Sequence, residues 1–163
     1  GVDWNTVVTV GQQIWSIVQA NKPVVNVNAA EAFALPGGLT CWMDLDGWKA
    51  PQSKSYEVTY KNLMGMEVVK FRFRLQYTYG GGRSGVGQYL ANVTVMPAEL
   101  NVMWAYTFNA QVEVEKAVNI GTAMNPIAGL EMNLKWDVGT VLKSSQNSYH
   151  FFVQGDGQTQ VAQ

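Results

Sequence analysis

Cysteine is nearly missing from this chain: Cys41 stands alone among 163 residues, so no intramolecular disulfide can staple the fold. A lone thiol is also silent about the redox compartment, and its ordinary state is buried and unreactive. Histidine is equally scarce. His150 cannot make a metal site without carboxylate or thiol partners, and the sequence identifies none beside it. Charged residues form only 14 % of the chain, against a usual share of about 25 %. With 11 Lys and Arg against 12 Asp and Glu, the formal charge is −1, and the basic face that nucleic acid requires is excluded. No apolar run reaches the roughly eighteen residues of a membrane-spanning helix, and no segment has the basic start and apolar middle of a signal peptide. The chain starts at Gly1 rather than Met, and the expectation is a processed or trimmed chain whose targeting segment has been removed.

Hydrophobic residues, by contrast, make up 47 %, and the polar share is filled by Asn, Gln, Thr, Ser and Gly in place of Lys and Glu. That profile leads to the expectation of an exported protein, periplasmic or extracellular. The length suits a single domain over 1–163, burying about two-thirds of the surface the unfolded chain exposes.

Near the N-terminus, Trp4, Val7, Val8, Gly11, Ile14, Trp15 and Val18 recur at three-and-four spacing. This predicts an amphipathic helix over about 4–21, capped by Asp3 and stopped before Pro23. Its β-branched residues are poor helix formers, so tertiary packing would have to hold it. From about 24 to 154 the apolar period becomes two. Val69, Phe71, Phe73, Leu75, Tyr77 and Tyr79 alternate with polar residues; so do Val102 to Val114 and Leu130 to Val138. Shorter runs lie at Val24 to Leu35, Tyr56 to Lys61, Gln88 to Met96 and Tyr149 to Gln154. Turn chemistry marks Pro36 to Gly38, Ala50 to Ser53, Gly80 to Gly87, Pro97-Ala98, Asn119 to Pro126 and Ser144 to Ser148. None leaves room for a parallel crossover helix, so the strands should be antiparallel. The tail 155–163 is expected to fray. The fold class expected is thus α+β, mainly β, with the N-terminal helix packed on a curved antiparallel sheet or half-barrel of about seven to eight strands.

Seven strands make a sheet roughly 34 Å wide, whereas a helix is about 10–12 Å across. One helix cannot cover it, so the sheet must curl on itself, dimerise or enclose a ligand. A rival arrangement turns the apolar face outward as a small transmembrane β-barrel, with Arg72 and Arg74 paired inside to Glu113 or Glu131. The amphipathic N-terminal segment, the short strands and the polar C-terminal end speak against it.

The local motifs each have an ordinary explanation. Gly80 to Gly87 is glycine-rich like a phosphate loop, but a strand follows it where such a loop needs a helix; a mobile hairpin loop is expected. Asp44 and Asp46, spaced by two and flanked by Trp42 and Trp48, are the candidate surface site for a sugar or cation, but the further oxygen ligands of a calcium loop are missing and ordinary turn chemistry is the expected role. His150 should face solvent, and its pairing with Cys41 or Ser148 as base and nucleophile has no support in spacing. Asn92-Val93-Thr94 fits a glycosylation sequon within a strand. Lys70, Arg72 and Arg74 form a basic row, read as a solvated face balanced by acids on neighbouring strands.

The functional expectation is an exported, non-catalytic protein that binds a hydrophobic or lipid-like molecule between helix and curved sheet, in a pocket lined by Trp15, Phe73, Trp104 and Trp136. The alternative is a structural or interaction protein of the cell envelope that buries the same face in a homo-oligomer or a partner. An enzyme is the weaker reading, with Asp44, Asp46 and His150 its only nameable groups. No cofactor, metal or nucleic-acid partner is expected, and membrane association is left open rather than predicted.

Overall fold

The computed structural model describes residues 1–25 and 30–163. Among these the chain forms eleven strands: β1 (Asp3–Gly11), β2 (Ile14–Gln19), β3 (Lys22–Pro23), β4 (Ala32–Gly37), β5 (Gln52–Lys61), β6 (Glu67–Arg83), β7 (Val86–Val102), β8 (Thr107–Asn119), β9 (Ala128–Gly139), β10 (Ser144–Gln154) and β11 (Thr159–Ala162). The helical element among the described residues is a single 3-10 turn at Trp42–Asp44. The strands make two antiparallel sheets, one ordered β1-β4-β7-β6-β5 and the other β11-β10-β9-β8-β2-β3. They pack face to face over one core. Phe71 of the first sheet meets Phe108 of the second with ring centroids 4.9 Å apart, and Phe73 meets Tyr149 and Phe151 at 5.8 and 5.9 Å.

This corrects the expected architecture. The N-terminal segment is not a helix but two strands on different sheets, β1 pairing with β4 and β2 with β8. Its β-branched residues prefer extended backbone, and nonlocal pairing supplies the hydrogen bonds. The three-and-four spacing arose because the alternation is reset between the strands, where Gly11 takes φ +97°, and again at register shifts within each pairing. Val8 and Ile14 of the supposed stripe are consequently exposed, whereas Ile17, outside it, is buried. Nor is there one broad sheet in need of a cover, because each of the two sheets covers the other's apolar face.

Several strand boundaries also differ. The run Val102 to Val114 is broken by a turn at 103–106, where Ala105 has φ +76°. Glycine-rich 80–87 is not a loose loop: β6 and β7 continue through it to a two-residue turn, Ser84-Gly85, with both residues at positive φ. Strand β7 runs through Pro97, and β10 already begins at Ser144. The tail is tied down rather than frayed, since β11 pairs with β10 and the Tyr77 hydroxyl lies 2.6 Å from the carbonyl oxygen of Gly157. Of the run Val24 to Leu35, residues 26–29 lie outside the described residues, and its later part forms β4.

Candidate functional site

At one end of the sandwich the β5–β6, β7–β8 and β9–β10 turns come together. The connections are short, so each turn sits directly above the strands it joins. Met103 N–H donates to the Val68 carbonyl at 2.8 Å, and Thr107 pairs with Gly139, which fixes the second turn against the other two. Between the first and third turns opens a cleft of about 630 Å³, lined by Tyr60, Leu63, Met64, Tyr106 and Val138 together with Lys61 and Lys143. Its floor is anchored to the core by Trp136, whose indole N–H donates to the Tyr60 hydroxyl at 2.9 Å.

The tips of these turns are apolar. Leu63, Met64 and Met66 on the first, Met103 and Trp104 on the second, and Val141 and Leu142 on the third are all exposed, Trp104 to 92 %. Each is the size of side chain that gains about 1.5–3 kcal/mol on leaving water. Clusters of this kind on a protein end are uncommon and mark contact surfaces. The turn backbones are meanwhile closed on themselves. Gly65 N–H donates to Asn62 O, Asn62 Oδ1 accepts from the amides of Met64 and Met66, and Tyr106 N–H donates to Met103 O. In the third turn, Thr140 N–H donates to Lys143 O and Leu142 N–H to Thr140 Oγ1.

Elsewhere the residues singled out from sequence are not brought to one place. Trp15, Phe73 and Trp136 are buried, at 6, 0 and 2 % exposure, as members of the core, while Trp104 is exposed in the β7–β8 turn. They line no common pocket, and the helix that would have closed one is missing. Trp15 Nε1 is buried without a hydrogen-bond partner. Asp44 and Asp46 are exposed, and Asp46 is held by its backbone to Gly82. The flanking rings are occupied with each other and with the protein: Trp42 and Trp48 meet edge to face at 5.6 Å, Trp48 Nε1 donates to Trp42 O at 3.2 Å, and the Trp48 ring lies over Gly81. His150 is exposed, in register with Asn133 on one side and Ala162 on the other. Neither Cys41, which is half-buried rather than buried, nor Ser148 lines the groove around it. Among the described residues no three of His, Cys, Asp and Glu gather to hold a metal ion. In the sequon, the Asn92 amide donates to Glu31 and the Thr94 hydroxyl to Ala30 O. Two members of the basic row are paired with acids, Lys70 3.8 Å from Glu57 and Arg72 3.6 Å from Glu99.

A wider groove, about 730 Å³, crosses the outer face of the second sheet between Gln111, Lys135, Asp137 and Gln146. Some of its polar groups are engaged within the sheet. Asn109 Nδ2 donates to Asp137, Gln111 Nε2 donates to Glu113, and Lys135 pairs with Glu113 at 2.7 Å. The turn-end cleft is the better candidate because its apolar side chains have no partner.

Sequence reasoning found Trp104 but placed it in a strand, and it missed the other six tip residues. The available signal was large apolar residues in the turns themselves, Asn62-Leu63-Met64-Gly65-Met66 and Thr140-Val141-Leu142-Lys143, where polar residues are the rule. The chain matches no protein-family model, no curated protein and no solved structure.

Proposed function

We propose that this chain is an exported, non-catalytic binding domain that holds a hydrophobic or lipid-like partner at the end of the sandwich where the three apolar turns meet. One observation carries the reading: seven large apolar side chains, Leu63, Met64, Met66, Met103, Trp104, Val141 and Leu142, are exposed on three turns at one end of the sandwich, and Leu63 and Met64 line the cleft there. The core that could have hidden them is already filled. The sheet faces offer no comparable surface, because each turns its apolar side to the other sheet and its polar side outward. Export is supported by the low charge and the surface of neutral amides and hydroxyls.

The experiment is binding of an apolar fluorescent dye, 1-anilinonaphthalene-8-sulfonate, to the folded wild-type chain and to a variant carrying Leu63→Ser, Met64→Ser, Trp104→Ser, Val141→Ser and Leu142→Ser. The dye is expected to bind the wild type and to lose most of its signal with the variant, at an unchanged unfolding midpoint. Equal dye binding by both chains would overturn the reading.

A further inference from the structure

We infer that the partner held at this end is the surface of an anionic lipid bilayer, into which the three turn tips insert to the depth of the headgroups. The inference rests on the binding site proposed above and goes on to name its occupant.

Three features of the turns favour a bilayer over a protein. First, the exposed apolar side chains are carried on three separate turns at one end and not on the face of a sheet, an arrangement that a deformable surface can receive. Second, the amides of Met64, Gly65, Met66, Tyr106, Thr140 and Leu142 find acceptors within their own turns, which lowers the cost of moving these turns into the headgroup layer. Third, aromatic residues with a polar edge and cations accompany the apolar turns. Leu63, Met64, Trp104, Val141 and Leu142 are exposed there, and the half-buried Tyr60 and Tyr106 line the cleft together with Lys61 and Lys143. Apolar, aromatic and cationic side chains gathered at one end are the composition of a bilayer interface.

The charge selects the lipid. The chain as a whole carries −1, yet this end holds Lys61 and Lys143, and the β2–β3 turn adds Lys22 beside Asn21, which shares a neighbouring groove with Val68 and Met103. Glu67, in register with Lys61, is the acid among them. A local excess of cations on a slightly acidic protein fits anionic headgroups.

Co-sedimentation with vesicles of phosphatidylcholine containing about a quarter phosphatidylglycerol tests this, with pure phosphatidylcholine vesicles alongside. The wild type is expected to partition onto the anionic vesicles at least tenfold more strongly than onto the neutral ones. Trp104→Ser should lower partition by on the order of tenfold or more. The pair Lys61→Gln and Lys143→Gln should lower it by on the order of tenfold on anionic vesicles alone, and more at low salt than at high. The emission of wild type, less that of Trp104→Phe, should shift to the blue on binding. Dye binding with no vesicle binding would overturn the bilayer while leaving the apolar site standing, and loss of both would remove both. Equal partition onto neutral and anionic vesicles would overturn the anionic part. A dimer in native mass spectrometry that Trp104→Ser dissolves would overturn the inference in favour of a second copy.

Discussion

Strand β6 runs the length of the sandwich and meets two opposite treatments of tryptophan. Near its end, Gly81 and Gly82 lie beneath the segment between β4 and β5, so that the Trp48 ring rests on backbone where a side chain would otherwise stand. Near its start, Val68 holds the β7–β8 turn from which Trp104 projects into solvent. The same residue type is therefore scaffold at one end and unpartnered at the other. What separates them is the presence of a surface shaped to receive the ring, which residue type alone does not reveal.

The comparison can be broken most directly at Gly81. A Cβ there would fall inside the Trp48 ring, so Gly81→Val is expected to cost about 3 kcal/mol, read as a lower midpoint in urea unfolding. A midpoint within error of wild type would mean that the ring is not held there. The hydroxyls of the packed end sharpen the contrast at somewhat smaller cost. Tyr77 OH lies 2.6 Å from Gly157 O and 2.8 Å from Gln52 Oε1, and accepts from Thr159 Oγ1. Tyr77→Phe leaves those groups without it and should cost about 1–2 kcal/mol.

Burial holds the hydroxyls of Tyr77, Tyr89 and Tyr56 protonated above the ordinary tyrosine value of 10.0, reinforced at Tyr77 by nearby Tyr79 and Asp156 and opposed by the hydrogen bond from Thr159. The unfolded chain ionises near that value and the folded chain only above it. The stability contributed by these groups is thus fully present below pH 10 and declines as pH rises from there through the folded values. The decline should be shallower in Tyr77→Phe, checked by unfolding midpoints across the alkaline range.

Trp15 tests the packed interior in the other direction. Its buried N–H has no partner, so Trp15→Phe removes a desolvated donor along with some contacts, and the net change is expected to stay under about 1 kcal/mol. The smallest effect belongs to the free end, where Trp104→Ser should alter the midpoint by less than about 0.5 kcal/mol. If it cost as much as Gly81→Val, the distinction between the two ends would fail.

Much of the β architecture was legible. Period-two alternation located most of β9 and the middle parts of β6 and β7, with portions of β5, β8 and β10, and the lengths of the connections gave antiparallel pairing, because strand periodicity is a local property. The N-terminal strands were not legible. Bulges and the break at Gly11 shifted the phase of Val7, Trp15, Ile17 and Val18, and their true partners, β4 and β8, are remote in sequence. The division into two sheets escaped for the same reason: alternation identifies a dry face but not what covers it. At the candidate site, Trp104 was noticed for its size and misplaced because Val102, Trp104 and Tyr106 continue an alternation that the backbone abandons at Met103. Leu63, Met64, Val141 and Leu142 carry no periodicity, and only their position in the turns made them visible.

The N-terminal ribbon also sets the order in which the molecule can be built. Ile14 is in register with Glu113, and β1 finds its place only beside β4, which in turn lies against β7. During synthesis β1 can pair with β4 and β2 with β3 early, but neither pair has its place in a sheet until β7 and β8 have been made. The hairpins β5–β6, β6–β7, β8–β9 and β9–β10 can close as soon as they appear, while β1 and β2 must close long loops at an entropic cost that slows them. Folding should end with this N-terminal ribbon, as it seals one edge of each sheet.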